Sequence, residues 1–116
     1  MRVYDKMGSL KKTIALPWTP TTPPKDGAAP KQSGGSAVII DFSPDQNQRL
    51  MFVVNQNNAQ VDIVERESGK KLSSFGRPGS FPGEFNQAHG MAVDSKGNVY
   101  VDENRGRRVH KFVPAQ

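Results

Sequence analysis

Residues 86–112 read Asn86-Gln-Ala-His-Gly-Met-Ala-Val-Asp-Ser-Lys-Gly-Asn-Val-Tyr-Val-Asp-Glu-Asn-Arg-Gly-Arg-Arg-Val-His-Lys-Phe112. Two short alternating apolar runs, Met91 to Val93 and Val99 to Val101, flank the Gly-containing turn Asp94-Ser-Lys-Gly-Asn98. A third run, Val109 to Phe112, follows a polar turn at Glu103 to Arg107. Apolar alternation with period two, punctuated by Gly, Asn and Asp, predicts an antiparallel meander of three strands.

Working outward, residues 37–76 carry the same kind of pattern four times. Strands are expected at Ala37 to Phe42, Leu50 to Val54, Val61 to Val64 and Lys71 to Phe75, with turns at 43–48, 55–58 and 66–69. Residues 77–87, Arg77-Pro-Gly-Ser-Phe-Pro-Gly-Glu-Phe-Asn-Gln87, connect this set to the meander. Near the N-terminus, Val3 and Tyr4, a turn at Gly8, and Leu10 to Leu16 predict a hairpin, which needs a neighbouring sheet to be stable.

Between them, residues 17–36 change character, with five prolines and three glycines in twenty residues. Proline lacks the N–H that a ladder or helix interior uses, so this stretch is read as an insertion loop. Trp18 is expected to pack on a sheet, and the Pro-x-x-Pro spacing at Pro17, Pro20 and Pro23 is the form an SH3-like groove takes.

The chain repeats itself. Met51-Phe-Val-Val-Asn-Gln-Asn-Asn-Ala-Gln-Val61 aligns without gaps on Val99-Tyr-Val-Asp-Glu-Asn-Arg-Gly-Arg-Arg-Val109, at an offset of 48. Upstream, Ile40-Asp-Phe-Ser43 falls on Met91-Ala-Val-Asp94 at an offset of 51. Val3-Tyr4-Asp5 falls on Ile63-Val64-Glu65, and Gly8 on Gly69. Residues 1–16 are therefore read as the second half of a unit and 17–36 as the insertion. Residues 37–87 make a complete four-stranded unit with its connector, and 88–116 make three strands of another. Four-stranded antiparallel units with a period in the forties are the signature of β-propeller blades. The expectation is an all-β chain of antiparallel blades, an incomplete propeller of about two and a half blades. The remaining blades, or other copies of the chain, are needed to close a ring. The missing fourth strand of the last unit favours a C-terminal piece of a larger protein.

Composition narrows the classes. The 116 residues fit one domain, 34% are apolar, and eleven glycines with nine prolines favour turns over helices. Without cysteine there is no disulfide framework and no thiolate metal site. No apolar run approaches the roughly 20 residues of a membrane-spanning helix, so no membrane span is expected. Residues 1–6 lack the apolar core of a signal peptide. Sixteen basic against eleven acidic residues give a net charge of +5. The densest cluster is Arg105, Arg107, Arg108, His110 and Lys111, a candidate ligand or nucleic-acid face. A simpler role for Arg105, Arg107 and Lys111 is a solvated edge that discourages sheet-to-sheet aggregation. Asp94, Asp102 and Glu103 are expected to cap turns. No residue is assigned a catalytic or cofactor-binding role: there is no nucleophile–base pair, and Ser33-Gly-Gly-Ser36 lacks the lysine and helix of a phosphate loop.

Phe81-Pro-Gly-Glu-Phe-Asn-Gln-Ala-His-Gly-Met-Ala-Val-Asp-Ser-Lys-Gly-Asn-Val-Tyr-Val101 and its continuation Asn104-x-x-x-Arg108-Val-His-Lys-Phe112 resemble an NHL repeat. The likeness covers residues 76–112 closely, 37–76 loosely and 2–16 in part. It departs from the family pattern at Ala88, where proline is usual, at Glu103, where aspartate is commoner, and at Val38, which aligns on His89. The resemblance implies a six-bladed propeller acting as a binding scaffold, with a protein or peptide as the leading partner. It also implies two alternatives. NHL propellers are similar to peptidyl-hydroxyglycine amidating lyases, zinc-dependent carbon–nitrogen lyases in which His89 would be one metal ligand near the central channel. Other NHL propellers bind RNA on a basic face, here the Arg105 to Lys111 cluster. Relatives of this kind are often exported. The Arg108 position implies a structural guanidinium, tied to backbone carbonyls or to Asp102.

Overall fold

A computed structural model describes residues 1–16 and 37–115. Trp18, the Pro-x-x-Pro spacing and Ser33–Ser36 lie outside the described residues. The described chain is all-β and antiparallel, in three sheets that do not close on one another. Strands β1 (Arg2–Tyr4) and β2 (Leu10–Thr13) pair as a hairpin. Strands β3 (Ala37–Phe42), β4 (Leu50–Asn55), β5 (Gln60–Glu65) and β6 (Lys71–Phe75) form a four-stranded meander. Strands β7 (Ala88–Val93), β8 (Val99–Glu103) and β9 (Arg108–Phe112) form the three-stranded sheet.

The turns form where short polar side chains satisfy the backbone. In the β7–β8 turn the Asp94 carboxylate accepts the N–H groups of Lys96 and Asn98, both at 2.9 Å, and the Asn98 amide at 2.8 Å. These bonds, the Asn98 amide first, hold the Asp94 carboxyl below its usual range against the opposing push of partial burial. In the β3–β4 turn the work is divided: Asp45 accepts the Arg49 N–H and the Ser43 hydroxyl accepts the Leu50 N–H, each at 3.0 Å. β2 is shorter than expected, ending at Thr13. Pairing continues one step beyond it without a ladder, because Ile14 and Met1 exchange backbone bonds of 2.8 Å.

The alternation of side chains along β4 and β5 explains the stacking. Phe52, Val54 and Val61 pack with Val99, Val101 and Phe112 of the three-stranded sheet, around a buried Phe85. Met51, Val53 and Val64 point the other way and pack with Val3 and Ile14 of the hairpin. The central strands β4 and β5 are thus covered on both faces, by the preceding unit on one side and the following unit on the other. Each fully buried valine contributes about 1.5–3 kcal/mol of transfer free energy. Two cross-sheet bonds fix the second interface: the Val93 N–H donates to the Asp41 carboxylate at 2.7 Å, and the Gln56 amide donates to the Ala88 carbonyl at 3.1 Å.

The outer face of the three-stranded sheet differs from the covered face at the same repeat positions. Phe52, Val54, Val61 and Ile63 correspond to Tyr100, Asp102, Val109 and Lys111. This outer face is mixed rather than uniformly apolar. Lys111 Nζ lies 5.7 Å from the centre of the Tyr100 ring, and Val109 is 67% exposed.

Candidate functional site

The connector and the β8–β9 turn meet at one end of the molecule. The connector is a tight loop. Phe85 N–H donates to the Arg77 carbonyl at 2.8 Å, Gly79 N–H to the Phe85 carbonyl at 3.2 Å, and Glu84 N–H to the Phe81 carbonyl at 2.9 Å. Glu84 folds back inside it, accepting the Phe81 N–H at 3.1 Å and Arg77 Nε at 2.6 Å. The Phe81 N–H and then the Arg77 guanidinium hold the Glu84 carboxyl below its usual range, against burial. Position 79 must be glycine for this: a Cβ there would lie 2.3 Å from a Glu84 carboxylate oxygen.

Arg108 ties the loop to the sheet. Its guanidinium donates to the carbonyls of Ser80 (2.6 Å), Phe81 (3.3 Å) and Glu84 (2.9 Å), and to both carboxylate oxygens of Glu103 (3.0 and 3.1 Å). The planar fork of Arg suits this division between carbonyls and a bidentate carboxylate. The expected backbone carbonyls are indeed the partners, but the carboxylate is Glu103 and not Asp102. Glu103 does not cap its turn either. Its side chain is fully buried, bonded to Arg108 and, at 2.6 Å, to His110 Nε2. Burial works to raise the Glu103 carboxyl, but Arg108, His110 and the Asn86 N–H outweigh it and leave it below its usual range. Asp102 instead accepts the Gly90 N–H across the sheet at 2.6 Å.

Beside this hub runs an open groove of about 530 Å³, lined by His89, Asp102, Asn104, Arg107 and Val109 together with Glu103 and Arg108. His89 lies within β7, at the register shift between Ala88 and Gly90, and its side chain is exposed. Arg105 and Arg107 are exposed at the turn, whereas Lys111 sits further along β9 over Tyr100 and His110 is turned inward. The basic cluster of the sequence is therefore divided among three environments.

A zinc site of the lyase type needs three protein ligands and one open position. Among the described residues no three His, Asp or Glu side chains converge on a point that would hold a metal. His89 has Asp102 in its groove, but Glu103 is committed to Arg108 and His110. These residues do not supply such a site.

Sequence reasoning did not single out Glu84, Phe81 or the hub role of Glu103. A glutamate directly after two closely spaced turn glycines, Gly79 and Gly83, was the available signal for Glu84. No protein-family model matches the chain, and no curated protein is a significant match to it.

Proposed function

We propose that the chain is part of an NHL-type β-propeller and works as a rigid binding scaffold, presenting the end where the connector and the β8–β9 turn meet. One observation carries this: the central strands of the middle sheet bury both faces, against the units that precede and follow it in the chain. A two-layer sandwich buries one face of each sheet, whereas blades in a ring bury two. The NHL-like residues agree with that arrangement: Arg108, at the family's arginine position, joins blade to connector. Binding rather than catalysis fits the hub, whose strongest charges, Glu103 and Arg108, are spent on holding the loop in place. The coarse class, a loop-bearing end on a rigid scaffold, is a common place for recognition.

An open stack leaves an uncovered face at each end. Tyr4 (51% exposed) and Leu10 (56%) belong to the hairpin, and Val109 (67%) to the last sheet. Sedimentation of the purified chain over a range of concentrations tests the reading. Multimers or aggregates are expected; a well-folded monomer that persists at high concentration overturns the open-propeller assignment.

A further inference from the structure

We infer that the connector and the β8–β9 turn together dock a short acidic segment of a partner polypeptide, with Phe81 as apolar anchor and Arg105 and Arg107 as charge contacts. The inference rests on the scaffold reading above and adds the chemistry of its partner.

Phe81 is 73% exposed, yet its backbone is held on both sides. Its N–H is bonded to the Glu84 carboxylate, and its carbonyl accepts from Glu84 N–H and Arg108. A large apolar ring on a loop this firmly tied is preorganised for contact, since little ordering remains to be done on binding. The turn that carries Arg105 and Arg107 lies against the base of the same connector, with Asn104 N–H on the Gln87 carbonyl and Gly106 N–H on the Asn86 carbonyl.

Charge selects the partner. The two glutamates here are already neutralised, Glu84 by Arg77 and Glu103 by Arg108. Asp102 has one oxygen engaged by Gly90. Arg105 and Arg107 are exposed, and the Arg77 side chain is 76% exposed although its Nε is paired. The free charge left at this end of the molecule is thus cationic, on a turn bonded to the connector that carries the exposed phenyl ring. That pairing is complementary to a segment combining carboxylates with an apolar residue. The adjoining 530 Å³ groove, with Val109 on its wall, has room for the flanking chain.

A single-stranded nucleic acid fits less well. It brings one phosphate per nucleotide and uses a series of stacking rings. Phe81 is the one strongly exposed phenylalanine among the described residues, so a series of stacking rings is not presented.

Fluorescence anisotropy on the full chain tests this, using a fluorescein-labelled peptide of glutamates around one tryptophan. Controls are the same peptide with alanine for tryptophan, its lysine counterpart, and a labelled single-stranded oligonucleotide. The acidic tryptophan peptide should bind best and weaken as salt rises. Phe81→Ala, which keeps every backbone bond of the loop, should lower affinity roughly tenfold, as loss of an anchor does. Phe81→Leu should restore part of it, and Arg105→Glu with Arg107→Glu should abolish binding. Circular dichroism of each variant confirms that the sheet is retained. Binding indifferent to both sets of substitutions overturns the inference, and tighter binding of the oligonucleotide at the same salt overturns the partner class. Multimers in sedimentation with no peptide binding would overturn this inference alone and leave the scaffold reading standing.

Discussion

In the four-stranded sheet, the Asn55 amide on β4 donates to Asp62 on β5 at 3.0 Å, and Gln60 donates to the same carboxylate at 2.6 Å. Forty-eight positions later, Glu103 on β8 faces His110 on β9 at 2.6 Å, and Arg108 replaces Gln60 as the third member. Both clusters sit at equivalent places, but the carboxylate has moved from the third strand to the second. The source of positive charge has moved too. Asp62 is neutralised by Lys71 at 2.9 Å, from the fourth strand, β6. The three-stranded sheet has no fourth strand among the described residues, and its cation comes from β9 itself. That arrangement needs no fourth strand and lets Arg108 reach across to the connector. One repeat position thus stabilises a single sheet in the first case and also fixes the connector loop in the second.

The largest expected effect breaks the comparison at its carboxylates. Glu103→Ala leaves Arg108 without its buried partner and loosens its hold on three carbonyls, at a cost of about 3–5 kcal/mol in urea unfolding at fixed protein concentration. Asp62→Ala leaves Lys71, which is as exposed as Arg108 (30% against 31%) but is a single flexible ammonium rather than a guanidinium that also holds three loop carbonyls. Its cost should be smaller, about 2 kcal/mol, from the hydrogen bonds lost by Asn55 and Gln60. Equal costs, or a larger one at Asp62, would sink the idea that the two nodes are neutralised differently.

A second test uses the turns. Asn58 and Gly106 are equivalent in the repeat, yet a Cβ at 106 would lie 1.5 Å from a Glu103 carboxylate oxygen. Gly106→Ala must push that carboxylate off Arg108 and should cost about 2–3 kcal/mol. Asn58 carries a buried side-chain oxygen with no hydrogen-bond partner, so Asn58→Ala should stay within about 1 kcal/mol of wild type. Thermal unfolding of the pair decides whether the carboxylate, rather than the turn itself, demands glycine.

Much of the fold was legible because its signals are local. Period-two runs bounded by Asp94–Asn98, Ser43–Gln48 and Gly69 located the strands, and the offset of 48 paired Asn55 with Glu103 and Asp62 with His110. The exchange of residue types between those pairs hid their common role, since an amide with a carboxylate does not look like a carboxylate with an imidazole. The hub was legible only as a structural role for Arg108 implied by the resemblance, and its actual partners were hidden for a different reason. Arg108 binds carbonyls 24 to 28 positions away, and a carbonyl leaves no mark in a sequence. His89 drew attention as a chemically versatile residue, but residue type alone does not show which partners the fold brings to it.

The smallest expected effect concerns acid. The folded-state carboxyl of Glu103 is below its ordinary value of 4.5, so its contribution is fully present above that pH and is lost as pH falls through the folded value. Asp5, Asp45, Glu84 and Asp94 are lowered as well and unfold the chain in the same direction. A difference between variants therefore isolates Glu103. Glu103→Gln keeps the shape and some of the bonds, and should cost about 2 kcal/mol at pH 7, the worth of charge-assisted bonds. The gap from wild type should then narrow steadily below pH 4.5, because protonation makes the wild-type side chain neutral as well. If the gap stays constant down to pH 3, the Glu103–Arg108–His110 node is held by packing and not by its charge. The parallel variant Asp62→Asn then shows whether the four-stranded sheet shares that behaviour.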